Sequence, residues 1–137
     1  MKTPGLRGSY EMVDGIVFFG RMLDKIRLHA QGRLPPDYNR GSGFDGRTCR
    51  FLKVDYERLV SRVLQGSTDE EILEWCHEQG HRPGEEEIFV WNAFMTKRGW
   101  RDDVSDWLVE QKRSRGFEHR DDIQTAFDFH LADEADS

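Results

Sequence analysis

The chain has little of what marks the specialised protein classes. Only two cysteines, Cys49 and Cys76, stand in 137 residues. That is too few for a disulfide-stapled secreted scaffold, and reduced thiols are the simple expectation. No apolar run exceeds four residues, as at Ile16-Val17-Phe18-Phe19. A membrane-spanning helix needs ~20, and even a signal-peptide core needs more than four. No segment alternates apolar and polar residues with period two, so strands are not expected. Internal repeats and low-complexity stretches are also missing. The expectation is a soluble, cytoplasmic protein with no membrane partner.

What is present points to a packed core. Apolar residues make up 36% and aromatic residues 12% of the chain, too many rings for a disordered polymer. The length fits one domain, 1–137, able to bury a sizeable core unaided. Charged residues reach 34%, with a net charge of −6 that hides a split. Residues 1–64 carry 12 Lys/Arg against 7 Asp/Glu, net +5, whereas residues 65–137 carry 8 against 19, net −11. So acidic a C-terminal half argues against a nucleic-acid partner.

Apolar residues recur at helical spacing along most of the chain. Residues 1–13 read as an extended arm. A helix fits 14–31, capped by Asp14 and stopped by Gly32, with Ile16, Phe19, Leu23, Ile26 and Ala30 on one face. After the Leu34-Pro35-Pro36 connector, a short helix covers about 44–53. Asp55 caps the next, with Leu59, Val60, Val63 and Leu64 inward. Thr68 and Glu71 have capping-box spacing before a helix that ends at Gly80. Pro83 and Gly84 open another, striped by Ile88, Trp91 and Met95. Further helices are expected from Asp102 to Arg115, with Val104, Trp107 and Leu108 inward, and from Asp121 or Asp122 to Ala132, with Ile123, Phe127 and Leu131 on one side. The tail, 133–137, is expected to fray. The fold class is therefore all-α, a single domain of six or seven helices.

The sharpest local feature is Arg40-Gly41-Ser42-Gly43-Phe44-Asp45-Gly46-Arg47-Thr48-Cys49-Arg50. It spells G-x-G-x-x-G, but the proline-rich stretch before it is no strand, so the dinucleotide reading fails. A second reading survives. Loop N–H groups and a helix start, with Arg47 and Arg50 three apart on one face, can hold an anion. Equally, these arginines can pair with Asp24 or Asp45 and lock the fold. Asp24, among Arg21, Lys25 and Arg27, should stay ionised, which suits an orienting or ion-pairing role. Asn92, beside Trp91 on an apolar face, must bond a neighbouring segment or line a pocket.

Cys49 lies by a helix start between two arginines, an environment that lowers a thiol pKa, so it is the best nucleophile candidate. Asp45 is the alternative reactive group. Packing as a small buried thiol is the plainer role for Cys49. Cys76, His77 and His81 lack the tight paired spacing of a zinc site, and neither metal nor cofactor is expected. His130 reads as a core histidine.

With these segments in view the chain resembles an uncharacterised group of small bacterial proteins known only as a domain of unknown function. The likeness rests on Arg21-Met22-Leu23-Asp24-Lys25-Ile26-Arg27, Gly43-Phe44-Asp45-Gly46, Cys49-Arg50-Phe51-Leu52, and the run Trp91-Asn92 through Arg101-Asp102. It extends from Leu6 to Asp133. One departure is Gly20, where the pattern has proline. The resemblance implies a soluble, helical, single-domain bacterial protein and brings no catalytic residues.

Three functions are compatible with this sequence. The first is a helical binding module for a small anion or an acidic protein segment, using Gly43, Asp45, Arg47, Arg50, Asp24, Trp91 and Asn92. The second is an enzyme using Cys49 or Asp45 with Arg47 and Arg50. The third is an interaction or homo-oligomeric module using exposed aromatics.

Overall fold

Asp14 and Gly15 take φ of 46° and 82°, the positive values that a two-residue hairpin turn requires. They join β1 (Met12–Val13) to β2 (Ile16–Val17), paired antiparallel with Val13 opposite Ile16. The expected helix over 14–31 is therefore corrected at its start: α1 runs Phe19–Ala30. Phe18 makes the junction at φ 73°. That is a costly conformation for a bulky side chain, held by burial of its ring against Phe127, with ring centroids 5.7 Å apart.

The computed structural model describes residues 2–135. Among these, six further helices follow: α2 (Phe44–Leu52), α3 (Tyr56–Leu64), α4 (Asp69–Gln79), α5 (Glu85–Lys97), α6 (Ser105–Ser114) and α7 (Ala126–Ala135). The fold is mostly α. The hairpin is its one departure from an all-helical plan among the described residues.

Capping explains the middle helices. The Asp55 carboxylate accepts from Arg58 N at 3.0 Å. Thr68 and Glu71 form a reciprocal box, with Glu71 N donating to Thr68 Oγ1 and Thr68 N to Glu71 Oε1. Such caps contribute about 1 kcal/mol each. At the C-terminal end the boundaries move. Asp102 spends its carboxylate on the Gly99 and Val104 N–H groups, so α6 starts after this loop, at Ser105. Thr125 Oγ1 accepts from Asp128 N, so α7 starts at Ala126 and not near 121. That shift turns Leu131 outward, 56% exposed, and buries Phe129 with Phe127. Trp107 is likewise on the rim and not in the core. The tail is helical through Ala135, while 136–137 lie outside the described residues.

The main core gathers Phe19, Met22, Leu23 and Ile26 of α1 with Leu52, Leu59, Ile72, Met95 and Phe127. Full burial of each such side chain stabilises by about 1.5–3 kcal/mol. A smaller cluster joins Leu108, Ile123 and Phe129. Gly80 ties α4 to the end of α2. Its backbone passes so close that an added Cβ would lie 2.2 Å from the Leu52 carbonyl oxygen, which accepts from His81 N.

Candidate functional site

The loop before α2 is built from within. Asn39 donates to Ser42 O and accepts from Ser42 Oγ. The Asp45 side chain folds back so that Oδ2 accepts from Gly41 N at 3.0 Å. Its other oxygen lies 2.8 Å from Lys25 Nζ, which also donates to Asn39 O. Both side chains are buried. The Gly-rich loop does offer an N–H to an anion, but that anion is the chain's own Asp45.

Arg47 and Arg50 emerge from the next turn of α2. Neither makes a hydrogen bond or ion pair with a carboxylate among the described residues. Arg47 instead sits over the Phe94 ring, 5.1 Å from its centroid, and Arg98 approaches the same ring at 4.9 Å. Two open clefts meet at this pair of arginines. One, of about 520 Å³, lies between α2 and α5 and is walled by Phe51, Val90, Trp91 and Phe94, with Glu86 and Glu87 at one end. Its wall is firm, because Trp91 stacks on Phe51 with centroids 4.3 Å apart and planes within 4°. The other, of about 550 Å³, lies between the 39–50 segment and the Arg98–Trp107 loop, floored by Phe44 and His130. It holds three guanidinium groups (Arg47, Arg50, Arg98) against one carboxylate, Asp103.

Asp103 tempers this charge. Arg98 donates to it at 2.7 Å and holds its carboxyl below the ordinary range, with Arg47 adding to the effect. His130 Nδ1 lies 2.7 Å from Ser9 Oγ. Burial, reinforced by the charges of Arg21 and Lys25, pushes its pKa well down. At neutral pH the second cleft therefore has a cationic side and an uncharged aromatic floor.

The profile of a domain of unknown function, DUF5069, matches residues 3–136. The chain belongs to the DUF5069 family. No curated protein matches it.

In this DUF5069 protein the seven residues proposed for ligand binding separate into groups. Gly43, Arg47 and Arg50 line the second cleft. Asp45 lies buried behind it in the Lys25 pair. Trp91 walls the first cleft, 6% exposed. Asn92 pins the hairpin to α5, accepting from Val17 N and donating to Gly15 O. Asp24 lines neither cleft. It is held by Arg7, which donates from Nε at 2.9 Å and Nη2 at 3.0 Å. Arg27, three residues further along α1, stands 3.6 Å away, but the principal partner comes from the N-terminal arm. Gly20 makes room for that partner, since a Cβ there would meet the Arg7 guanidinium at 2.8 Å.

The reactive-thiol expectation is corrected. Cys49 is 4% exposed, and burial, with Asp45 and Asp55 adding to it, drives its pKa up to about 12, while Arg50 alone pulls the other way. Cys76 is buried too, and burial lifts it likewise to about 12. His77 and His81 turn to different partners, the His81 carbonyl and the Glu87 carboxylate. Sequence reasoning missed Arg98, Trp107 and His130 as neighbours of the α2 arginines, and Lys25 as the partner of Asp45. The helical stripe placed Trp107 inward, but nothing local pointed it at His130, whose ring it meets at 6.3 Å.

Proposed function

We propose that this protein is a binding module for a small anionic ligand, held in the cleft between α2 and the Arg98–Trp107 loop. The observation that carries this reading is that Arg47 and Arg50, one turn apart on α2, line an open cleft without a carboxylate of their own. Guanidinium forks match carboxylate and phosphate oxygens. Phe44 and Trp107 supply apolar surface for the body of the ligand, the usual division of labour in small-molecule sites. A cytoplasmic bacterial setting accords with the family resemblance and with two unpaired, buried thiols.

Thermal unfolding against phosphate, sulfate, carboxylates and nucleotides tests the reading. A ligand that binds only the folded state, present at a hundred times its Kd, adds about 2.7 kcal/mol of stability. At least one anion should raise the wild-type Tm, and the rise should vanish in Arg47→Ala and Arg50→Ala. No shift with any anion removes the proposal.

A further inference from the structure

The outward face of α5 carries large apolar side chains: Phe89 is 70% exposed, Val90 57%, and Phe94, flanked by the Arg47 and Arg98 guanidinium groups, still 39%. With Glu86, Ala93 and Lys97, all exposed, they fall at helical spacing on one side of the helix. We infer that this face docks against the same face of a second copy, with the two α5 helices antiparallel about a two-fold axis.

The pattern of the face selects that partner. Glu86 and Lys97 stand equally far from the midpoint between Trp91 and Asn92, and so do Phe89 and Phe94, and Val90 and Ala93. A two-fold axis through that midpoint therefore sets Glu86 of one copy against Lys97 of the other. It also brings Phe89 level with Phe94 and Val90 level with Ala93 along the paired helices, each relation made twice, as an isologous interface requires. Glu86 and Lys97 have no ion-pair partner within the described part of their own chain, so both are available across the axis. Ala93, next to the axis, lets the backbones approach. Opposed helix dipoles add to the preference for the antiparallel arrangement. A parallel pairing would oppose like charges at each end. A 13-residue helix is only about 20 Å long, so the interface falls at the small end of specific contacts and the dimer is concentration-dependent.

Sedimentation equilibrium of the full chain from about 1 µM to about 1 mM, a range that spans weak dimer constants, should show a monomer–dimer equilibrium. Phe89→Glu should abolish it. Glu86→Lys and Lys97→Glu should each raise the dimer Kd by about tenfold or more, through like-charge apposition. The double exchange, Glu86→Lys with Lys97→Glu, should restore it to near the wild-type value. All these positions are exposed, and unchanged far-UV dichroism shows that the variants fold. A chain that stays monomeric throughout overturns the inference. So does a dimer indifferent to Phe89→Glu, or one in which the double exchange fails to restore what the single changes lose. Anion-induced thermal shifts are read separately, so this inference and the proposed ligand site stand or fall independently.

Discussion

Two arginine-rich regions of this molecule use the same residue types to opposite ends. Around α1, Arg7 and Arg27 share Asp24 and Asp69, Arg21 grips Glu134 with two prongs, and Lys25 meets Asp45. Each cation there has a carboxylate supplied by a distant part of the chain. Around α2, Arg47 and Arg50 stand over clefts with no such partner, beside Arg98, which is already paired with Asp102 and Asp103. What separates fold-holding from ligand-ready arginine is therefore long-range supply of carboxylate, which charge pattern in the sequence does not report. The first region should be sensitive to loss of a partner, and the second nearly insensitive until a ligand is present.

The largest effect is expected where burial is deepest. Asp45 is fully buried, and Asp45→Ala strands the Lys25 ammonium away from water. Removing one partner of such a pair costs about 3–5 kcal/mol, read from urea unfolding. Replacing both partners with apolar residues, Lys25→Met with Asp45→Leu, should recover much of that loss. If Asp45→Ala costs less than about 1 kcal/mol, the division between the two regions fails at its strongest point. Arg7→Ala should cost less, about 2 kcal/mol, the scale of hydrogen bonds to charged groups. The Arg7 side chain is 30% exposed and Arg27 still reaches Asp69. Retention of wild-type stability here would mean that the N-terminal arm is not held by this ion pair.

Much of this fold could be read locally. The caps at Asp55 and Thr68, and the stops at Gly32 and Gly80, are signals within a few residues of what they control. The hairpin carried one too, the Asp14-Gly15 pair with its positive φ angles. It was hidden because Ile16, Phe19 and Leu23 also satisfy a helical stripe and are buried in either case. The start of α7 was misplaced for a related reason: Ile123 is buried from a turn, so burial alone does not define a helix. The site was legible only as far as Gly43 and the two arginines. That the carboxylate beside the Gly-rich loop belongs to Lys25, and that His130 floors the cleft, depend on packing between segments far apart in sequence.

A pH experiment probes the border between the two regions. The folded-state pKa of His130 lies below its unfolded value of about 6.5, so the folded chain resists a proton that the unfolded chain accepts. Its stability contribution is complete above pH 6.5 and falls as pH drops below that. Between pH 7.5 and 5.5 the loss from this group can reach about 1.4 kcal/mol, the limit for an imidazole that stays neutral in the folded chain throughout. Unfolding free energies at the two pH values should differ more, by up to that much, in the wild type than in His130→Gln. An equal pH response in the two proteins would mean that His130 takes a proton as readily in the folded chain as in the unfolded one, and that the cleft floor carries charge at mildly acidic pH.

The smallest effect is the most diagnostic. Arg50 is exposed and has no ion-pair partner among the described residues, so Arg50→Ala should change stability by no more than about 0.5 kcal/mol, the ordinary range for a surface change. Arg47→Ala forfeits a contact with the Phe94 ring and should cost up to about 1 kcal/mol. Both variants should nevertheless lose the response to anions that the wild type shows. A protein that conserves its stability while losing a ligand-dependent shift has lost a site and not a brace. Were either substitution instead to cost as much as Arg7→Ala without any ligand present, the α2 arginines would belong with those around α1, and the contrast between the two regions would collapse.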